Sequence, residues 1–142
     1  MIHVILTTHG PMAESMLASA RMVYGDLPHI FPVMLTEASG IADFREAFNE
    51  VLHLASNQAD GVLVLCDLQS GTPWNIACYH AFNPETTPPM AVLGGVNFPM
   101  LLLSDEITSL NDVNQAAATL LEQAGASLVM ARQSETQQSD DY

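Results

Sequence analysis

Short runs of Val, Ile and Leu recur along the chain, at residues 2–7, 30–35, 61–66 and 90–93, each with turn residues close by. Runs this brief and this continuously apolar read as strands buried on both faces. Between them the apolar positions take helical spacing. One helix is expected over about 12–24, closed by Gly25. A second follows Ser39, with Ile41, Phe44, Phe48, Val51, Leu52 and Ala55 on one face. A third opens at Thr72-Pro73, a short fourth follows Asn97-Phe98-Pro99, and a fifth spans about 111–124 before Gly125. Proline in a first turn and glycine past a last turn are the end signals helices use. A last apolar run, 127–131, reads as a fifth strand. The alternation predicts an α/β fold: a mostly parallel, doubly wound sheet with helices on both faces.

The whole pattern fits one domain over 1–131, followed by a polar tail, 132–142, expected to be flexible. Of the 142 residues 49% are hydrophobic and 13% charged, which suits a packed core and not a disordered chain. The formal net charge is −13, and the basic residues are Arg21, Arg45 and Arg132, with no lysine. Nucleic acid is therefore not an expected partner, because no basic patch exists to neutralise phosphates. Schiff-base chemistry and a P-loop lysine are excluded as well. Cys66 and Cys78 are too few for a disulfide framework and read as small core residues. No basic segment precedes the first apolar run, and the longest apolar stretch, 88–103, is broken by Gly94-Gly95, Asn97 and Pro99. Neither a signal peptide nor a membrane span is expected, and the expected compartment is the cytoplasm.

In an open parallel sheet, ligands bind beyond the carboxyl ends of the strands, where strand order reverses. The first strand ends in Thr7-Thr8-His9-Gly10. The third ends in Asp67 and leads to Gly71-Thr72-Pro73-Trp74-Asn75. If the order is 2-1-3-4, His9 and Asp67 share one crevice. A carboxylate bonded to one imidazole nitrogen fixes the ring and leaves the other nitrogen as a nucleophile. Gly71-Thr72-Pro73 opens a helix whose free N–H groups and dipole favour an anion. Each feature alone is an ordinary turn or helix start. Together they describe phosphoryl transfer onto histidine. His3, His29, His53 and His80 lack metal-ligand spacing and read as surface or packing residues, so no metal and no cofactor are expected. Trp74 and Phe98 read equally as core plugs or as an exposed rim.

Thr8-His9-Gly10, Asp67-x-x-x-Gly71-Thr72-Pro73-x-Asn75 and Gly95-Val96-Asn97-Phe98-Pro99-Met100-Leu101, in this order over about residues 1–131, resemble the IIA component of the mannose-type sugar phosphotransferase system. The resemblance implies a core strand order of 2-1-3-4 and a fifth strand exchanged in a homodimer. It implies that His9 accepts a phosphoryl group from phospho-HPr and passes it to a IIB component, which serves the membrane IIC and IID proteins in sugar uptake. Asp67 would orient His9, and Gly71 and Thr72 would bind phosphate. Thr8, Gly10, Asn75, Asn97, Phe98 and Pro99 would form the rim. Many relatives have Gly-Gly-Ser-Pro where this chain has Ser70-Gly71-Thr72-Pro73; threonine keeps the hydroxyl.

Four other readings compete; the first, a structural relative that has lost activity, is opposed by the intact His9 and Asp67. The phosphotransfer subunit of dihydroxyacetone kinase also has a histidine after strand one, but its third loop is usually of a Gly-Ser-Ala type. A non-catalytic receiver-like or ligand-binding module would use Asp67 as acceptor, yet needs an acidic pair after strand one and a late lysine. A hydrolase would need a nucleophile elbow, and no GxSxG is present. The sugar is not readable from this chain.

Overall fold

A computed structural model describes residues 1–133. The elements alternate as expected: β1 (Ile2–His9), α1 (Met12–Val23), β2 (Ile30–Leu35), α2 (Gly40–Ser56), β3 (Gly61–Cys66), α3 (Gly71–Ala81), β4 (Met90–Leu93), α4 (Phe98–Leu103) and α5 (Val113–Gly125). A 3-10 turn, Ser104–Ile107, which the sequence pattern did not predict, follows α4. The sheet is parallel throughout, in the order β2-β1-β3-β4. The strand order reverses between β1 and β3, and their register pairs Thr7 with Cys66. The residues that follow, Thr8-His9 and Asp67, therefore emerge side by side.

Side chains alternate across a strand, so each strand feeds two cores. Val4 and Leu6 of β1 and Leu63 and Leu65 of β3 pack with α1, α4 and α5. Ile5, Val62, Val64 and Cys66 pack on the other face with Phe44 and Phe48 of α2 and Ile76 and Ala77 of α3. Both layers are needed, because β1 and β3 are apolar on both faces. Three of the histidines outside the predicted site, His3, His29 and His80, serve packing, and His53 is exposed. His3 Nδ1–H donates to the Ala55 carbonyl at 2.7 Å, His29 Nε2 and the Ser104 hydroxyl are bonded at 3.0 Å, and His80 stacks on Phe48.

The fifth strand is the one element not found in this single chain. Over residues 128–132 the backbone takes no regular structure, and Leu128, Val129 and Met130 are exposed. Among the described residues 127–131 pair with no strand, and β4 has a neighbour on one side only. The predicted tail lies outside the described residues from position 134 onward.

Candidate functional site

The strand–turn–helix junction after β1 aims the histidine. Gly10 takes φ +64°, a left-handed turn that glycine adopts without a Cβ penalty, and its N–H donates to the Leu35 carbonyl at 2.7 Å. The chain then enters α1 at Met12. Thr8, on the α1 side of the strand, is buried; its hydroxyl accepts from Ala13 N–H at 3.0 Å and donates to the Gly10 carbonyl at 3.3 Å. The expectation that Thr8 forms the rim is corrected: its hydroxyl holds the first turn of α1 from below. Strand alternation puts the neighbouring side chain, His9, on the opposite face.

His9 meets Asp67 there. The imidazole Nδ1–H donates to Asp67 Oδ2 at 2.9 Å, and His9 backbone N–H donates to the same oxygen at 2.9 Å. The other oxygen, Oδ1, accepts from Leu68 N–H at 2.9 Å. The Asp67 side chain is only 7% exposed and that of His9 is 41% exposed. The carboxylate is thus an internal brace, and the imidazole edge it orients is open. A proton on Nδ1 leaves Nε2 with its lone pair.

Nε2 faces the start of α3. A Cβ placed on Gly71 would lie 3.1 Å from His9 Nε2 and 3.2 Å from Cε1, and Gly71 sits at φ +86°. A side chain at 71 would be strained by the backbone and would crowd that nitrogen. Ser70, the residue before α3, is extended and its hydroxyl does not cap the helix. The first-turn N–H groups of Gly71 and Thr72 are therefore not taken by a side-chain cap, and together with the helix dipole they favour an anion. Pro73 has no N–H to offer and is buried. Imidazole nitrogen and anion-favouring helix end thus meet at one point, which suits a tetrahedral phosphoryl group carried on Nε2.

The rim residues divide. Gly10 borders a cleft of about 450 Å³ beside His9, with Leu35, Thr36, Glu37 and Gly40. Asn75 is exposed one turn into α3 and opens instead onto a separate cleft between α2 and α3. Asn97 caps α4 by accepting from Met100 N–H at 2.9 Å, and its amide donates to Ser127 Oγ at 3.3 Å. Phe98 and Pro99 are half-buried in the first turn of α4, Phe98 packing on the α1–α4–α5 core. Trp74 packs partly buried on the other core. Val96 N–H donates to the Cys66 carbonyl at 2.9 Å, which ties this loop to the residue before Asp67. Glu37, the one carboxylate lining the cleft beside His9, was not singled out from the sequence, although its place after β2 was the available signal. Cys66 lies under the site as an inert thiol; burial first, then Cys78 and Asp67, push its pKa up to about 12. Among the described residues no group of three or more His, Cys, Asp or Glu side chains is arranged to hold a metal ion.

Comparison with known proteins bears directly on this arrangement. A family model described as the PTS system fructose IIA component matches residues 3–121. The chain belongs to that family. Its members are the IIA components of sugar phosphotransferase systems, phosphoryl carriers by role. The chain is 31% identical over 102 residues to the sorbose-specific EIIA component of Klebsiella pneumoniae, covering 72% of this chain and 71% of that protein. It is 30% identical over 101 residues to the mannose-specific EIIAB component of Escherichia coli K12, covering 71% of this chain and 30% of that longer protein. Among solved structures, the mannose/sorbose-specific IIA subunit from Enterococcus faecalis superposes with a TM-score of 0.77 at 30% identity, over 92% of this chain and 94% of that one. An EIIA component from Streptococcus agalactiae shares the fold with a TM-score of 0.80 at 23% identity, over 92% and 97%. The IIA fold and the 2-1-3-4 order expected from the sequence are the ones found.

Proposed function

We propose that His9 is the phosphoryl carrier of this IIA component, accepting the group from phospho-HPr and delivering it to a IIB component during sugar uptake. The carrying observation is the 2.9 Å bond from His9 Nδ1–H to Asp67, with Nε2 turned toward Gly71. The Nε2 lone pair attacks the phosphorus of the donor's phosphohistidine. The donor N–P bond breaks, and its electron pair returns to the donor ring. His9 then carries positive charge shared over a ring whose Nδ1–H remains on the Asp67 carboxylate. That charge–carboxylate contact stabilises the phosphorylated form, and delivery reverses the same steps on the IIB nucleophile. Gly71 N–H, Thr72 N–H and the Thr72 hydroxyl hold the phosphoryl oxygens as neutral donors, which suits a group that must leave again.

Asp67 as the acceptor is disfavoured, since both its oxygens are engaged and its side chain is nearly buried. The exchange partners, HPr and IIB, put the reaction in the cytoplasm; the membrane IIC and IID proteins are reached only through IIB. Two copies assemble as a homodimer in this reading, each lending its exposed 128–130 segment to the open edge of the other's β4. The cleft along that edge, lined by Trp74, Met90 and Val92 among others, is an apolar seat for it.

The test is incubation with labelled phosphoenolpyruvate, enzyme I and HPr. The wild type takes up acid-labile, base-stable label and passes it to a IIB protein, and His9→Ala takes up none. Label at the wild-type rate in His9→Ala, or base-sensitive label, overturns the assignment.

A further inference from the structure

The second cleft, between α2 and α3, has a chemistry of its own. It measures about 540 Å³ and is lined by Arg45 and Asn49 of α2 and by Asn75, Ile76, Tyr79 and His80 of α3. That volume is in the range of small-ligand sites. Its floor is apolar: Ile76 is buried, and the His80 ring stacks on Phe48 at 5.6 Å with the planes 17° apart. Burial holds the His80 pKa below the usual imidazole value, so that ring is a neutral part of the floor. The Tyr79 ring is 71% exposed and stands edge-on to His80.

Arg45 is the cation of this cleft. Arg21 is drawn to Asp26 at 3.3 Å, whereas Arg45 has no ion pair or hydrogen bond among the described residues. An unpaired guanidinium in a chain of net charge −13 is a strong anion-attracting side chain, and it lines this cleft. Its planar donor fork matches a phosphate or carboxylate. Asn49 and Asn75 each offer one donor pair and one acceptor, which complement hydroxyl groups. The Tyr79 ring and the Ile76 floor suit the C–H face of a compact ring. One cation accommodates one phosphate; a nucleoside triphosphate would meet uncompensated repulsion from the acidic surface.

We propose that the α2–α3 cleft binds a small polyhydroxylated phosphomonoester, a sugar phosphate, with Arg45 on the phosphate and Asn49 and Asn75 on the hydroxyls. The site is separate from the His9 crevice, although Asn75 is on the helix whose first turn faces Nε2. The proposal takes its ligand class from the lining side chains and stands apart from the transfer reaction.

The test is titration of the full chain with mannose 6-phosphate, fructose 1-phosphate and glucosamine 6-phosphate, read by calorimetry and by the fluorescence of the single tryptophan, Trp74, which adjoins Asn75. At least one is expected to bind saturably. Arg45→Gln should weaken that binding about tenfold or more, the loss expected for a charge-assisted bond, and Arg45→Lys should lose less. Inorganic phosphate alone, and the free sugar alone, should each bind at least about tenfold more weakly than the phosphomonoester. His9→Ala should bind as the wild type does. No saturation by any of the three, equal affinity in Arg45→Gln, or loss of binding in His9→Ala overturns the proposal. Label uptake from phospho-HPr, measured on the same Arg45 variants, is expected at the wild-type rate, so failure here and failure of the His9 assignment are read by different assays.

Discussion

Asp67 Oδ2 accepts two hydrogen bonds from one residue, His9, through its backbone N–H and its ring Nδ1–H, both at 2.9 Å. The double contact fixes the imidazole relative to its own strand as well as to β3. The residue thus sets the tautomer and the ring angle together, and its charge faces the ring that becomes cationic in the proposed transfer.

Asp67→Asn keeps an acceptor oxygen and removes the charge. Hydrogen bonds to charged groups are worth about 1.5–3 kcal/mol, or roughly 10–150-fold in rate if the full term is felt in the transition state. Phosphorylation by phospho-HPr is expected to slow within that range, with the thermal midpoint lowered as well, because the new amide nitrogen must face an N–H that a carboxylate oxygen had accepted from. Rapid-quench measurement of label uptake checks the first part and a melting curve the second. An unaltered rate would mean that the carboxylate only packs.

Gly71→Ala probes the opposite side of the ring. The new methyl group would sit about 3 Å from Nε2, and the backbone at φ +86° disfavours any Cβ. Destabilisation of about 1–2 kcal/mol is expected from the left-handed conformation. The larger effect is expected on chemistry: uptake of label should fall far more than stability does, because the nucleophilic nitrogen is shielded. Denaturant unfolding beside the labelling assay separates the two.

Thr8 and Thr72 carry hydroxyls at the same end of the sheet with different duties. Thr8→Val leaves the Ala13 N–H buried and unbonded, which costs about 1–3 kcal/mol of stability. Thr72→Val removes a half-exposed hydroxyl that makes no hydrogen bond within the described residues, so stability should hold while phosphorylation slows. Urea midpoints paired with transfer rates should show this crossed pattern.

The exposed apolar segment offers a further measurement. Leu128, Val129 and Met130 are 78%, 83% and 79% exposed in the single chain. Large neighbouring apolar side chains left open in this way mark an interaction surface. Val129→Asp is expected to shift the protein from dimer to monomer in light scattering, with the fold of residues 1–126 unchanged by circular dichroism. A wild-type protein that is monomeric at high concentration would remove the exchanged-strand reading.

Much of this was legible in the residues, for identifiable reasons. The strands 30–35, 61–66 and 90–93 were readable because apolar runs between turn residues have few other uses. His9 and Asp67 were brought together by the strand order alone. Thr8 was misplaced, although the period of two already set it opposite His9. Gly71 was readable as a helix start, but its closeness to Nε2 depends on the left-handed turn. The Arg45 cleft was not legible, since it forms where two helices meet and neither helix's own spacing says which face will be shared. Residues 127–131 have strand-like composition but no partner in their own chain.

The last prediction concerns acid stability. Burial lowers the pKa of His29; Asp105 opposes that shift and His3 adds to it. Burial likewise lowers the pKa of His80. Both are neutral in the folded and unfolded chain well above the ordinary value of 6.5. As pH falls through that value, the unfolded chain takes up protons that the folded chain resists, so stability falls. The loss levels off once pH passes below the folded values. Melting temperature is therefore expected to be flat from about pH 8 to 7 and to decline below about 6.5. His29→Gln, which keeps a donor for Ser104, should make the decline shallower, and His29→Gln with His80→Gln shallower still. A slope unchanged in the double variant would assign the acid loss to the carboxylates instead.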